Sequence, residues 1–450
     1  MRTSIPMFLE NLRKSETHQR QLLVVLTALV CVFHVVGIVM TSGLNGRMIQ
    51  GDAASYFAYL PSIVLDRDLD LRNQFETLRV EPGDPQRPFG GTDTGAANPF
   101  PIGPAVLWLP GYLIGLAVDW MLAALGVSTR PVGYGTGAAL GTAAWCILLA
   151  GLGADVTRRL VQQALGVEYA LSSAVMIWLG TPTIYYTLIA PLYSHAIAWC
   201  AVSLMIWYAW LAARREPAWR IWAIVGLVSG LVLAIRLQDA PLLLIPVALL
   251  VVSTRSAPSG RENVRSYVAW TLGTVVGLLP QALTSLWLNG SLLPVSDAPL
   301  SIPTLSNLTA VLLSTGYQGW VSWTPIVLPS LLGLIVLTRR TDTWQVRVIA
   351  VAGLAAIVVM VAIDVMHPFG AGAAYGGRRY VSAAPVLTLG VGAILALPVG
   401  RSSPRWKLVL PALMLWNLWL LTSYERLTVF HGVYPTLREA ARYAVGLGAP

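Results

Sequence analysis

Residues 22–40 read LLVVLTALVCVFHVVGIVM, an apolar run without a single acidic or basic residue other than His34. At a rise of 1.5 Å per residue it is long enough to cross the hydrocarbon core of a bilayer as a helix. It is too long for the apolar segment of a cleavable signal peptide, and no small-residue cleavage site follows it, so it is expected to stay as an anchor. The whole chain is of the same kind. Its 450 residues are 56% hydrophobic and 11% charged, where an ordinary globular domain carries roughly 25% charged residues. Mean hydropathy is +0.65, and water-soluble classes of function are set aside.

Working outward from that run, the expected fold class is an all-α integral membrane protein with about eleven transmembrane helices. The spans read at 21–42, 132–154, 168–187, 194–212, 219–236, 240–254, 267–288, 321–338, 346–364, 380–398 and 408–424. With residues 1–20 in the cytoplasm, each later cytoplasmic connection should be basic. These connections carry Arg158 and Arg159; Arg214, Arg215 and Arg220; Arg255, Arg261 and Arg265; Arg339, Arg340 and Arg347; and Arg401, Arg405 and Lys407. The alternation closes. The net charge of +9 is therefore topology and not a nucleic-acid footprint. Cys31, Cys146 and Cys200 fall inside apolar runs without metal-ligand spacing and read as packing residues.

Segment 101–125, PIGPAVLWLPGYLIGLAVDWMLAAL, is apolar but carries Pro104, Pro110 and Asp119. Were it to span, the phase of every later basic loop would invert. It is placed as a helix in the outer interface, giving a first external loop of about 43–131, a membrane domain of 21–424 and an external tail of 425–450.

The external face then collects the unusual residues. Loop residues 51–76, GDAASYFAYLPSIVLDRDLDLRNQFE, set Asp52, Asp66, Asp68, Asp70 and Glu76 among aromatics. Tyr56, Phe57, Tyr59, Leu60 and Ile63 have the spacing of an amphipathic interfacial helix that would hold Asp52 at the rim of a cavity. Capping of that helix by Asp52 is equally open. Asp66, Asp68 and Asp70 lack the glycine and distal glutamate of a calcium loop and read as solvated loop. Arg378 and Arg379, beside Tyr375 and Tyr380, break the charge rule by standing outside, and paired guanidiniums suit a phosphate. Arg236 also stands outside, either for an anion or for Asp239. His195, in PLYSHA, is a candidate base, a candidate donor to a sugar oxygen, or a structural histidine; His34, His367 and His431 carry weaker signals. Asn289 and Asn307 begin short acceptor sequons.

An outward aspartate just after the first span, a long first external loop and an external arginine in the last third together resemble the GT-C superfamily of membrane glycosyltransferases. That superfamily includes the protein O-mannosyltransferases, the lipid A aminoarabinose transferases and bacterial mannosyltransferases using polyprenyl-phosphate sugars. The blocks GDAASYFAYLPSIVLDRDLDLRN, GTPTIYYTLIAPLYSHA, GLVSGLVLAIRLQDA, GYQGWVSWTPIVLPSLLGL and GAGAAYGGRRYVSAAPVL look like those of a bacterial branch, over most of residues 30–400. The resemblance implies transfer of a sugar from a polyprenyl-phosphate donor to an acceptor hydroxyl of a glycan, lipid or protein, with inversion, at the outer face of the bacterial inner membrane. Asp52 matches the first-loop acid that deprotonates the acceptor, and Arg378 or Arg379 the region that holds the donor phosphate, with Arg236 as a further phosphate contact. Tyr56, Tyr59, His195 and Tyr375 are the expected substrate contacts. His195 falls where other members place a second acid, so a site without a cofactor or metal is expected, with a divalent ion left open. The rival reading is a polytopic transporter or lipid-oligosaccharide flippase. Such folds show internal repeats and polar residues near mid-membrane, whereas here the distinctive residues gather at one face.

Overall fold

The computed structural model describes residues 15–42, 49, 51–78, 91–92, 95–96, 98–127, 130–215, 218–255, 260–292, 302–316, 319–367, 375–397, 408–431 and 435–445. The basic residues Arg13, Lys14, Arg401, Arg405 and Lys407, and positions 368–374 of the glycine-rich turn, lie outside the described residues.

The chain is helical. In order, the helices are α1 (Glu16–Ser42), α2 (Asp52–Phe57), α3 (Tyr59–Pro61), α4 (Arg72–Thr77), α5 (Gly103–Ala124), α6 (Thr136–Leu165), α7 (Val167–Gly180), α8 (Thr183–Leu188), α9 (His195–Ala212) and α10 (Trp219–Ile235). They continue as α11 (Leu244–Arg255), α12 (Gly260–Asn289), α13 (Leu305–Leu313), α14 (Trp320–Trp323), α15 (Val327–Arg340), α16 (Trp344–Met366), α17 (Ala384–Ala396), α18 (Val409–His431) and α19 (Leu437–Ala444). Tight 3-10 turns, Leu237–Leu243 and Arg378–Ala383, lead into α11 and α17. Among the described residues the only extended pairing joins Gly91–Thr92 to Gly95–Ala96.

Among the described residues, eight helices are long and apolar enough to cross a membrane, and α7 and α10 are shorter apolar helices. Large apolar side chains stand exposed along α1 (Val24, Val32, Phe33) and α12 (Val264, Val268, Leu272), as a face turned to lipid requires. The protein is an integral membrane protein. Seven of the eleven expected spans coincide with one of these eight helices, and the eighth is α5, the segment placed in the interface from sequence; 168–187, 219–236, 321–338 and 408–424 fall on α7 with α8, on α10, on α14 with α15, and on α18.

Lipid offers helices no hydrophobic reason to associate, so contact depends on close fit. Helices α10 and α12 fit through two glycine pairs, Gly226 with Gly230 and Gly273 with Gly277. A Cβ on Gly226 would stand 2.1 Å from the Trp270 carbonyl oxygen, and one on Gly277 would stand 2.2 Å from that of Leu227. Helices α15 and α17 meet the same way, with a Cβ on Gly333 only 1.9 Å from the Gly390 oxygen.

The bundle has two chemically different ends. At one, Arg158 at the close of α6 pairs with Asp155 at 2.9 Å and reaches Glu16 at the start of α1, while Gln163 accepts from Trp210 near the end of α9. This is the basic end. Asp52, His195, Arg236 and Arg378 gather at the other.

Helix α5 is among the eight by length and composition, yet its partners lie toward the site end. Gly103 abuts Ala234 and Ile235 at the close of α10; Leu107 accepts from the Trp145 indole at 2.9 Å; Gly111 and Gly115 nest against Gly141 and Gly137. These contacts involve the first half of α6, whose second half goes on to Thr27 and Cys200. Thirty residues give α6 a length of about 45 Å, more than the roughly 30 Å hydrocarbon core. Asp119 closes this hairpin: buried, it accepts from the backbone N–H groups of Gly133, Gly135 and Gly137 at 3.1, 3.0 and 2.8 Å. An acid in an apolar helix is thus matched to the N–H groups left without a helical partner at the positive dipole end of α6.

The expected amphipathic helix after Asp52 differs from that reading. Ala53 to Leu60 are buried on every side, because α5 and the strap before it cover them. Tyr56 meets Phe100 and Trp108 edge-on, and Phe57 meets Tyr112. The helix breaks after Phe57, and a wide turn at Ser62–Asp66 ends at Arg67, whose φ of 62° is left-handed. The tail also folds: α19, with a capping box between Thr436 and Glu439, is tied to the bundle by the Leu437 N–H on the Thr315 oxygen at 2.8 Å.

Asp119→Ala should lower stability by about 3 kcal/mol or more, since three buried N–H donors lose an ionised acceptor. Asp119→Asn, which keeps one acceptor oxygen, should cost less; thermal unfolding of the purified protein in detergent distinguishes the two.

Candidate functional site

Four segments far apart in sequence meet at the site end. Asp52 opens α2, and its preceding residue Gly51, at φ 60°, is the N-cap. The aspartate is therefore not the capping residue. Arg378 Nη1 instead donates to Asp52 Oδ2 at 2.8 Å, and the two side chains remain 20% and 24% exposed. The pair forms a rim. Arg378 is delivered there by Gly376 and Gly377: Gly376 has a φ of 61°, a Cβ on it would stand 2.4 Å from Pro182, and one on Gly377 would stand 2.6 Å from Trp320. Only glycines let this strand of chain pass between those two side chains.

One turn deeper lies a buried polar chain. Ser382 Oγ donates to Asp239 Oδ1 at 2.6 Å, and Asp239 Oδ2 stands 3.5 Å from Arg236 Nε. Arg236 Nη1 donates to Ser194 Oγ at 3.2 Å and to His195 Nδ1 at 2.9 Å, while Nη2 donates to Gln238 at 2.9 Å. Ser194 Oγ in turn donates to the Tyr56 hydroxyl at 3.2 Å. A guanidinium can only donate, so the His195 ring presents it an unprotonated nitrogen. The same ring lies 4.2 Å from Tyr186 and 6.3 Å from Tyr193, centre to centre. Burial pushes the Tyr56 phenol above its ordinary range, which keeps it a neutral hydrogen-bonding group.

Of the residues singled out in the sequence, Asp52, Tyr56, His195, Arg236 and Arg378 come together. Arg379 does not join them. Neighbouring residues in a 3-10 turn diverge by about 120°, and Arg379 points to Asp364, 2.7 Å away. The adjacent arginines therefore serve two carboxylates and do not form one fork. Arg236 stands close to Asp239, and its other nitrogens are engaged by Ser194, His195 and Gln238, so it braces the site. Tyr59 and Tyr375 are fully buried and committed elsewhere. The Tyr59 hydroxyl donates to the Phe100 oxygen at 2.9 Å; that of Tyr375 donates to the Asn417 oxygen at 2.9 Å, and its ring stacks on Tyr185.

Asp66, Asp68 and Asp70 turn to their own loop. Asp66 accepts from Asn73 and Gln74, Asp68 from Ser62, and Asp70 pairs with Arg72. Among the described residues, no three side chains of His, Cys, Asp or Glu converge as a metal-ligand set. His34 holds the Leu188 carbonyl at 2.7 Å. Both sequon asparagines are tied into the fold, Asn289 to Asn98 and Asn307 to the Val365 oxygen.

Sequence reasoning missed Asp364, Ser194 and Ser382. A signal for the last existed: Arg236-Leu-Gln-Asp-Ala-Pro and Arg378-Arg-Tyr-Val-Ser-Ala-Ala-Pro are similar blocks, and each forms a 3-10 turn leading into a helix.

The fold and site define a polytopic helical membrane protein with a charge-paired polar centre at one end of its bundle. The chain matches no protein-family model and no curated protein sequence.

The two arginines should behave differently when removed. Arg236→Ala leaves the buried Asp239 carboxylate uncompensated and should cost about 3–5 kcal/mol. Arg378→Ala opens a partly exposed pair and should cost below about 1 kcal/mol. Unfolding of the two variants in the same detergent gives the comparison.

Proposed function

We propose that the protein is a membrane glycosyltransferase of the GT-C kind, moving a sugar from a polyprenyl-phosphate donor to an acceptor hydroxyl. The observation that carries this reading is the 2.8 Å pair between Asp52 and Arg378 at an accessible rim. A carboxylate and a guanidinium stand side by side there, and such a transfer needs a base and a phosphate-binding group of those two kinds.

In this reading the basic end of the bundle is cytoplasmic, following the positive-inside rule. Counted as eleven spans, the bundle would carry the polar centre at the outer face. Helix α5 stays on that side, in keeping with its packing against the first half of α6. The donor's prenyl chain lies in the bilayer, and its phosphate meets Arg378. The acceptor O–H gives its proton to the Asp52 carboxylate as its oxygen attacks C1 of the sugar. The bond from C1 to the phosphate oxygen breaks, and its electron pair leaves on the lipid phosphate. Arg378 offsets the charge that develops there. A single displacement inverts C1. Arg236, Asp239 and Ser382 brace the centre, and Tyr56, Ser194 and His195 supply polar groups beside the sugar. A transporter would place such residues along a path through the membrane; their convergence at one end favours a reaction at the surface.

Asp52→Asn should reduce sugar transfer by about 10²–10⁴-fold, the range for a lost general base. The measurement uses membranes containing wild type or variant, supplied with labelled polyprenyl-phosphate mannose, glucose and arabinose. If wild type consumes a donor and the variant does so equally fast, Asp52 is not the base.

A further inference from the structure

We propose that the ion pair between Asp52 and Arg378 is a lock opened by the donor's phosphate, so that the donor binds first and its binding releases the base. This inference rests on the glycosyltransferase reading.

The chemistry requires the two partners to separate. A carboxylate oxygen accepting from a guanidinium at 2.8 Å has committed a lone pair that an acceptor hydroxyl must reach. A phosphodiester also carries one negative charge. Exchanging the carboxylate for the phosphate on Arg378 therefore leaves the net charge on that guanidinium balanced, and the strong charge-assisted bonds of one partner replace those of the other.

The three Arg–Asp pairs of the site end differ in how readily they could make this exchange. Arg236 is 7% exposed, its Asp239 partner is fully buried, and its remaining nitrogens are held by Ser194, His195 and Gln238. Arg379 is 15% exposed, but its partner Asp364 is only 7% exposed, so the pair differs from Asp52 and Arg378 chiefly in a buried carboxylate. Asp52 and Arg378 are 24% and 20% exposed, open to an anion arriving at the rim. Partly exposed pairs of this kind resist opening by less than about tenfold.

The buried chain beneath explains why opening the lock need not dismantle the site. Tyr56 lies four residues beyond Asp52, and Ser382 lies four beyond Arg378. Tyr56, Ser194, Arg236, Asp239 and Ser382 connect the same two segments one turn deeper. When the rim pair parts, α2 and the Arg378–Ala383 turn stay joined. Parted from Arg378, the Asp52 carboxylate offers that oxygen to the acceptor hydroxyl while the phosphate occupies the guanidinium. Before the donor arrives, Asp52 is held by Arg378 and is not available to the acceptor.

Competition predicts that removing the carboxylate's charge tightens phosphate binding even as it abolishes transfer. The full-length protein in nanodiscs is titrated with a short-chain polyprenyl phosphate, following the fluorescence of its 17 tryptophans. Asp52→Asn should bind about threefold to tenfold more tightly than wild type, and Arg378→Ala should lose binding. Asp364→Asn removes the same charge from a different pair and should leave the affinity unchanged. Each variant is first shown to have the wild-type unfolding transition; where Asp52→Asn or Asp364→Asn does not, the serine variant at that position, which also lacks the charge, replaces it with the same expected outcome. Equal affinity in wild type and Asp52→Asn overturns the lock and leaves the glycosyltransferase reading standing. Equal tightening by Asp364→Asn also overturns the lock, because the effect is then one of general charge. Absence of binding to folded wild type and folded Asp52→Asn overturns the lock and the lipid-phosphate donor together.

Discussion

The contact between Asp52 and Arg378 joins residues 326 positions apart and ties the first loop of the chain to the start of α17. A guanidinium near lipid is tolerated only when its charge is answered. Arg236 and Arg379 in the same region meet Asp239 and Asp364 under the same constraint. The Asp52 and Asp364 pairs bring α2, the end of α16 and the Arg378–Ala383 turn to one place, and the hydrogen bond from Ser382 to Asp239 adds the Leu237–Leu243 turn. A polar centre can therefore persist at the end of an apolar bundle without leaving net charge stranded.

Holding those elements together falls to backbone shape more than to large side chains. Where α10 meets α12 and α15 meets α17, glycines let one backbone lie on another, and each such approach fixes the height at which a helix end arrives. The end of α10 delivers Arg236 and the start of α17 follows Arg378, so these glycine contacts set the site's geometry at a distance. The short turns contribute the final aim. Gly51, Gly376 and Gly377 bring backbone through positions that a side chain would block or strain, and the charged residues follow directly after them.

Much of this was readable in advance because membrane residence leaves a strong imprint. Most expected spans fell on helices long enough to cross a membrane, Arg236, Arg378 and Arg379 were marked by standing outside a charge rule that the rest of the chain obeys, and Asp52 by being an acid at the membrane surface. Other features had no local signal. Tyr59 and Tyr375 look like residues for a sugar until their hydroxyls are seen to hold Phe100 and Asn417. The stretch from Ala53 to Leu60 has the spacing of an interfacial helix, but it is buried because α5 and residues 98–102 lie across it, a cover supplied from some forty residues away.

That the protein is a helical bundle in a membrane, where its apolar runs lie and which charges are out of place can all be read from the order of its residues. Hydropathy and charge act residue by residue, and a linear pattern records them. Tertiary structure alone decided which aspartate answers which arginine, that Arg378 and Arg379 part company, and that Tyr56 and Ser382 are linked through Arg236. Ion pairing depends on distances of a few ångströms between side chains on different helices. Those distances are set by how closely the helices approach and at what height, and a linear pattern does not specify either.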